Sequence, residues 1–175
     1  MNSFQTLAQT RRSTRKFTDE KVTEQQLETL LQTVLMSPAS KSSNPWEFVV
    51  VQNPETIQQL ATSKPAGAAL LKTAPLAIVV CADPQKSDVW VEDCSIASIY
   101  LQLAAEDLGL GSCWVQIRKR EHESGELAAD YIKRVLQIPE HIEIESIIAI
   151  GNMVERRKEF DVSKASVEKI HQEKF

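Results

Sequence analysis

Cysteine, histidine and glycine are all scarce in this 175-residue chain, and each scarcity removes a class of chemistry. The three cysteines, Cys81, Cys94 and Cys113, are odd in number and form no Cys-x-x-Cys pair. A disulfide framework or zinc ribbon is therefore not expected, and the pattern suits a reduced, cytoplasmic protein. The three histidines, His122, His141 and His171, belong to no His-Glu-x-x-His motif and no Cys/His cluster, so no metal site is predicted. There is no Gly-x-Ser-x-Gly elbow and no Walker A loop. The pair Gly109 and Gly111 opens like a dinucleotide fingerprint, but the third glycine position holds Trp114. That segment also follows a helical pattern and enters a strand, the reverse of the Rossmann order. Any redox chemistry must then rest on another cofactor. Long apolar runs are missing too: stretches such as Leu76 to Ala82 fall far short of the roughly 20 residues a membrane span needs. Met1 to Gln5 has neither the basic nor the apolar region of a signal peptide, so none is expected.

Net positive charge is also lacking. Against 24 acidic residues there are 20 basic ones, a formal charge of −4, which argues against a nucleic-acid partner. Yet ten of the 20 basic residues fall in three short clusters: Arg11, Arg12, Arg15 and Lys16; Arg118 to Arg120; and Arg156 to Lys158. Such clusters are either solvated loop charges or the grip on a small anion. Arg118 to Arg120 in particular could hold a 2′-phosphate or simply face solvent.

What is present reads as one domain, 1–175, of alternating helices and strands. A short helix over Ser3 to Gln9 is expected to bury Phe4 and Leu7. Thr23 and Gln26 have capping-box spacing, and Leu27, Leu30, Leu31, Val34 and Leu35 then form one apolar face, ended by Pro38. Trp46 to Gln52 reads as a strand whose valine run is too apolar for a sheet edge. Asn53 and Pro54 start another helix. Leu76 to Ala82, Ser112 to Ile117 and Ile144 to Ile150 supply three more strands. Ser87 to Leu108 is the longest helix, apolar on more than one face, and is predicted to pack centrally or against a second subunit. Leu127 to Leu136 forms a last helical stripe. The tail, Asp161 to Phe175, has few apolar residues and needs something to dock on. The alternation predicts a sheet layered with helices, but not a doubly wound one.

Two segments ask for more than packing. Arg11 to Phe17 places three arginines and a serine within five positions, a set suited to a phosphate and the polar edge of what it carries. Pro38 to Trp46 is a small-residue loop running into a buried strand. It is either a plain turn anchored by Trp46 or a place where a flat ligand approaches the backbone.

In this order the two segments resemble the flavin-dependent nitroreductase family, through its Arg-x-Ser-x-Arg and Pro-x-Ser-x-x-x-x-Pro-Trp elements. Glu92 and Asp93, leading a small-residue helix into Leu108 to Trp114, match a third element. The ending Ile148 to Gly151, followed by a basic stretch and a terminal segment through Phe175, matches a fourth. The resemblance implies an α+β fold: a central mixed, mainly antiparallel sheet flanked by helices, in an intertwined homodimer whose tail, 161–175, docks on the partner. It implies FMN as cofactor, NADH or NADPH as co-substrate, and ping-pong reduction of a nitroaromatic, quinone or similar acceptor through flavin N5, with no catalytic side chain required. By resemblance, Arg11, Arg12, Ser13 and Arg15 grip the FMN phosphate, ribityl chain and pyrimidine edge. Pro38, Ala39, Ser40, Lys41, Ser42 and Asn44 line the flavin from the partner subunit. Val115, Gln116 and Ile117 pass its reactive face, and Arg156, Arg157 or Lys158 adds a phosphate contact. Ser42 and Asn44 stand where family members often carry Asn and Gln, and both are shorter. The competing readings are a flavin-binding sensor or carrier without turnover, a specialised flavin-destroying or dehalogenating member, and a nucleic-acid binder.

Overall fold

The computed structural model describes residues 3–175. Its centre is a four-stranded sheet of β1 (Trp46–Val51), β2 (Leu76–Ala82), β3 (Gly111–Gln116) and β4 (Glu143–Gly151), in the order β1-β2-β4-β3. All three strand pairs are antiparallel. The mixed character comes from one isolated parallel bridge, Ser13 with Ser112.

Both faces of the sheet are covered. Along β2, Ile78 and Val80 join a core with Leu30 and Val34 of helix α2 (Glu24–Leu35) and Leu101 of α4 (Trp90–Asp107). Ala77, Val79 and Cys81 point the other way, toward Ile57 and Leu60 of α3 (Pro54–Leu60) and Ile132 of α5 (Ala128–Leu136). Period-two alternation in strands buried on both sides makes β2 apolar throughout. The β2–β4 register shifts between Val80 and Cys81, where Ser146 and Ile144 are the facing residues. Glu145 is the extra residue of that bulge, and it is 4% exposed.

Local signals set the helix ends. The Thr23 Oγ1 accepts from the Gln26 N–H at 3.2 Å, and Gln26 Oε1 accepts from the Thr23 N–H at 3.0 Å, closing the capping box. Asn53 caps α3 by accepting from the Thr56 N–H at 3.0 Å, with Pro54 in the first turn.

Three expectations need correction. Helix α1 (Phe4–Thr10) buries nothing, and Phe4 is 73% exposed. The α2 face is narrower than its leucines suggest, since Leu30 and Val34 are buried while Leu35 is 60% exposed. Strand β1 is a sheet edge despite its valines, because helices cover both its faces: Val49 packs with the α3 and α5 side and Val50 with the α2 and α4 side.

Helix α4 is likewise not apolar all round. Ser98, Gln102 and Glu106 recur every four residues and are all buried. Ser98 meets Ser146 of β4 at 3.1 Å, Gln102 Oε1 accepts from Arg11 at 3.5 Å, and Glu106 pairs with Arg156. This polar stripe ties the N-terminal and C-terminal basic segments to the centre of the fold. Ile96 and Ile99, on the same helix, remain partly exposed. Among the described residues, no helix is long and apolar enough to cross a membrane.

Candidate functional site

The N-terminal basic segment is held against the outer edge of β3. The Thr14 N–H donates to the Ser112 carbonyl at 2.9 Å, and Phe17 bridges Met153. Thr14 and Phe17 are buried anchors. The Ser13 bridge to Ser112 and the buried Thr14 hold Arg11, Ser13 and Arg15 along this edge. Cys113, on the facing strand, bears it out. Burial pushes its thiol pKa up, while Arg15, a hydrogen bond from Ser13, Arg11 and Arg157 pull it down. Arg12 and Arg15 are both exposed, and of the two only Arg15 is felt at Cys113.

Beside this row lies a cavity of about 500 Å³, lined by Arg15, Cys113, Trp114 and Gln116, by Lys64, Gly67, Ala69 and Leu70 from the segment between α3 and β2, and by Arg120. Gln116 is fixed in its wall: its Oε1 accepts from the Trp114 indole N–H at 2.8 Å and its Nε2 donates to the Arg118 carbonyl at 3.1 Å. Val115 and Ile117 turn their side chains into the core on the α3 and α5 side, so only their backbone is offered to the strand edge. The chain then turns at Ile117 to Arg120, with Lys119 at φ 58° and the Arg120 N–H donating to the Ile117 carbonyl at 3.0 Å. Lys64 was not singled out from sequence, Trp114 only as the end of a family element and Arg120 only as one of the Arg118 to Arg120 cluster. Their places depend on the loop after α3 folding back onto β3, which no local pattern announces.

The three C-terminal basic residues divide. Arg157 is exposed, and its charge is felt at Cys113 together with those of Arg11 and Arg15. Arg156 is taken up by Glu106. Lys158 lines a shallow cleft with Gln9 and Phe160 instead.

The loop from Pro38 to Asn44 is elsewhere. It leads into β1, one edge of the sheet, whereas the arginine row lies along β3, the other edge. Three strand spacings separate those edges, roughly 14 Å. Asp93, 2% exposed at the start of α4, pins the loop: its Oδ1 accepts from the Ser40 N–H and its Oδ2 from the Ser87 hydroxyl, both at 2.8 Å. Lys41, Ser42 and Asn44 have φ of 51°, 54° and 42°, three left-handed positions without a glycine, with Ser43 between them right-handed at φ −69°. Such strain persists only where surrounding contacts hold it.

The comparisons decide the family. The nitroreductase family model matches residues 8–64 and 58–152. The chain belongs to the nitroreductase family. A Methanothermobacter thermautotrophicus relative, provisionally named NADH dehydrogenase/NAD(P)H nitroreductase, is 36% identical over 141 residues, covering 77% of this chain and 71% of its own. An Archaeoglobus fulgidus relative of the same name is 33% identical over 146 residues, covering 81% of this chain and 80% of its own. Among solved structures, an FMN-dependent nitroreductase from Clostridium difficile R20291 has a TM-score of 0.95 at 41% identity, covering 97% of this chain and 98% of that one. The nitroreductase fold explains the two-sided sheet with its long central helix.

Proposed function

We propose that this protein is an FMN-dependent oxidoreductase that uses NADH or NADPH to reduce nitroaromatic, quinone or similar acceptors. The observation that carries the reading is the row Arg11, Ser13 and Arg15 beside a cavity walled by Trp114 and Gln116, in a chain of the nitroreductase family. The donor set fits FMN: Arg11 and Arg15 flank Ser13 in sequence, their charges and that of Arg157 all reach Cys113, and the cavity lies beside this row. Bound there, FMN supplies hydride transfer in both directions, chemistry that no side chain of the cavity provides.

The chain's own residues bind and orient. Arg11, Ser13 and Arg157 hold the phosphate end. Arg15 sits at the pyrimidine edge, where a fixed positive charge favours an electron-rich ring. Gln116, with both ends of its amide committed, keeps the Trp114 indole in place as a wall that excludes water. The buried thiol of Cys113 stays protonated and takes no nucleophilic part.

The reading includes a homodimer. The strained loop Pro38 to Asn44 is held rigid yet stands a sheet's width from the arginine row of its own chain, so a two-fold partner is what brings it to a flavin. Exposed apolar residues support this: Phe4, Met36, Ile96 and Ile99, together with Val162, Val167, Ile170 and Phe175 of the tail, which docks on the partner.

The test is a titration of the purified protein with FMN, followed by turnover of NADH or NADPH with nitrofurazone or menadione. Stoichiometric flavin binding with turnover is expected. Flavin binding without turnover favours the carrier or sensor reading, and failure to bind flavin defeats the proposal.

A further inference from the structure

The cavity carries more positive charge than the arginine row alone. Lys64, from the segment after α3, and Arg120, from the turn after β3, line it with Arg15. No aspartate or glutamate is among the lining residues. Among the described residues none of the three cations lies within 4.0 Å of a carboxylate, although seven ion pairs form elsewhere. Arg120 instead donates to the Lys119 carbonyl at 3.3 Å. Burial lowers the Lys64 pKa, and the neighbouring Arg120 charge lowers it further. Two cations from separate loops are thus gathered, Lys64 partly dried and Arg120 exposed, with no carboxylate of the described residues within 4.0 Å of either. Gathering them costs free energy that an anion returns.

We propose that Lys64 and Arg120 form an oxyanion-recognition pair at the mouth of this cavity, and that a substrate reacting there presents a phosphate or carboxylate to them. This rests on the flavin reading above. Arg15 already meets the polar edge of the cofactor, and one delocalised negative charge on a reduced ring does not call for three cations. Arg120 belongs to the turn that follows the strand walling the cavity, and Lys64 reaches the same space from another element. Trp114 and Leu70 offer apolar wall between them. The ligand that fits carries a flat aromatic group and an oxyanion that reaches this pair. Two sources share that chemistry: the 2′-phosphate of the nicotinamide donor and an acidic substituent on the acceptor.

The experiment compares charged and neutral members of each pair. Half-reactions are measured with NADPH against NADH, and with 4-nitrobenzoate against 4-nitrobenzamide, for wild type, Lys64→Ala, Arg120→Ala and the charge-keeping Lys64→Arg. A readout independent of turnover is the dissociation constant of benzoate against benzamide, from perturbation of the flavin absorbance. The charged-to-neutral preference in kcat/KM and in affinity is expected to fall about tenfold in each alanine variant, the loss of one charge-assisted contact, and to recover in Lys64→Arg. Discrimination confined to the donors assigns the pair to the phosphate, and discrimination confined to the acceptors assigns it to the acidic substituent. Either supports the proposal. A wild type that does not distinguish charged from neutral ligands overturns it, with no variant needed. Loss of FMN from either alanine variant also overturns it, by moving the pair to the cofactor. A wild type that binds no flavin defeats the parent reading instead.

Discussion

Arg11, Ser13 and Arg15 act together because the Ser13 bridge to Ser112 and the buried Thr14 hold their segment along the edge of β3. Arg12 is the natural control. Arg15→Ala is expected to weaken FMN binding by about tenfold or more, and Arg12→Ala far less, as read by flavin titration. Equal losses would show that bulk positive charge, not this row, holds the cofactor. The motif was legible in sequence; the division among Arg156, Arg157 and Lys158 was not. It depends on Glu106, a buried acid of α4 that removes Arg156 from the set.

Glu145 invites a pH test. It occupies a bulge, is buried, and its Oε2 has no hydrogen-bond partner, with the Arg118 Nε 4.0 Å away. Burial raises its carboxyl pKa, opposed by Gln116 and Arg118 and helped by Glu92. The folded-state value therefore lies above the unfolded one. The folded protein holds the proton more tightly, so this group's contribution falls as pH rises from the unfolded value through the folded one. Glu145→Gln is expected to raise Tm at pH 8 by about 2–4 °C, for about 1 kcal/mol relieved, and to leave Tm nearly unchanged at pH 4. A lower Tm at pH 8 would mean that the carboxylate is well compensated by Arg118. Among the buried thiols, Cys81 is pushed up to about 12 by burial and by Glu47, which leaves it inert at neutral pH.

At the scale of elements, helix starts and strand positions were legible because they rest on local rules. The capping box of α2, the proline-led start of α3 and the continuous apolar run of β2 each formed as expected. What failed depends on neighbours far along the chain. A valine run reads as a central strand, yet β1 is an edge whose two faces happen to be covered. The α4 pattern hid its Ser98, Gln102 and Glu106 stripe among small and apolar residues. Gly111 also has a tertiary role: a Cβ there would lie 2.5 Å from Thr14 Oγ1 and Met153 Cγ. Gly111→Ala is expected to cost about 1–3 kcal/mol by denaturant unfolding. It should also displace Thr14 and so weaken flavin binding. Unchanged flavin affinity in the folded variant would separate the arginine row from its strand anchor. The pinned loop makes a parallel case. Asp93→Ala removes the acceptor of two hydrogen bonds and is expected to destabilise by about 2–4 kcal/mol.

For the whole molecule, the segments that the proposed flavin site draws on stand apart in a single chain. The arginine row and cavity lie along β3, the small-residue loop lies beyond β1, and the tail from 161 onward is almost wholly exposed. Light scattering at micromolar concentration is expected to give twice the chain mass of 19.6 kDa. A monomer retaining full activity would leave the loop with no role at the flavin. At this scale the expectation of a homodimer comes from the family resemblance and from the apolar surface of α4, because a strained loop has no signature in hydrophobic period.

The most direct measurement is anaerobic mixing of the flavin-loaded protein with NADH and then with NADPH, followed in the visible spectrum. A flavin reductase loses its oxidised-flavin absorbance rapidly with at least one donor and recovers it when a nitroaromatic or quinone is added. A spectrum that neither donor bleaches would contradict the reductase reading, and would leave a flavin-binding protein whose arginine row holds the cofactor for another purpose.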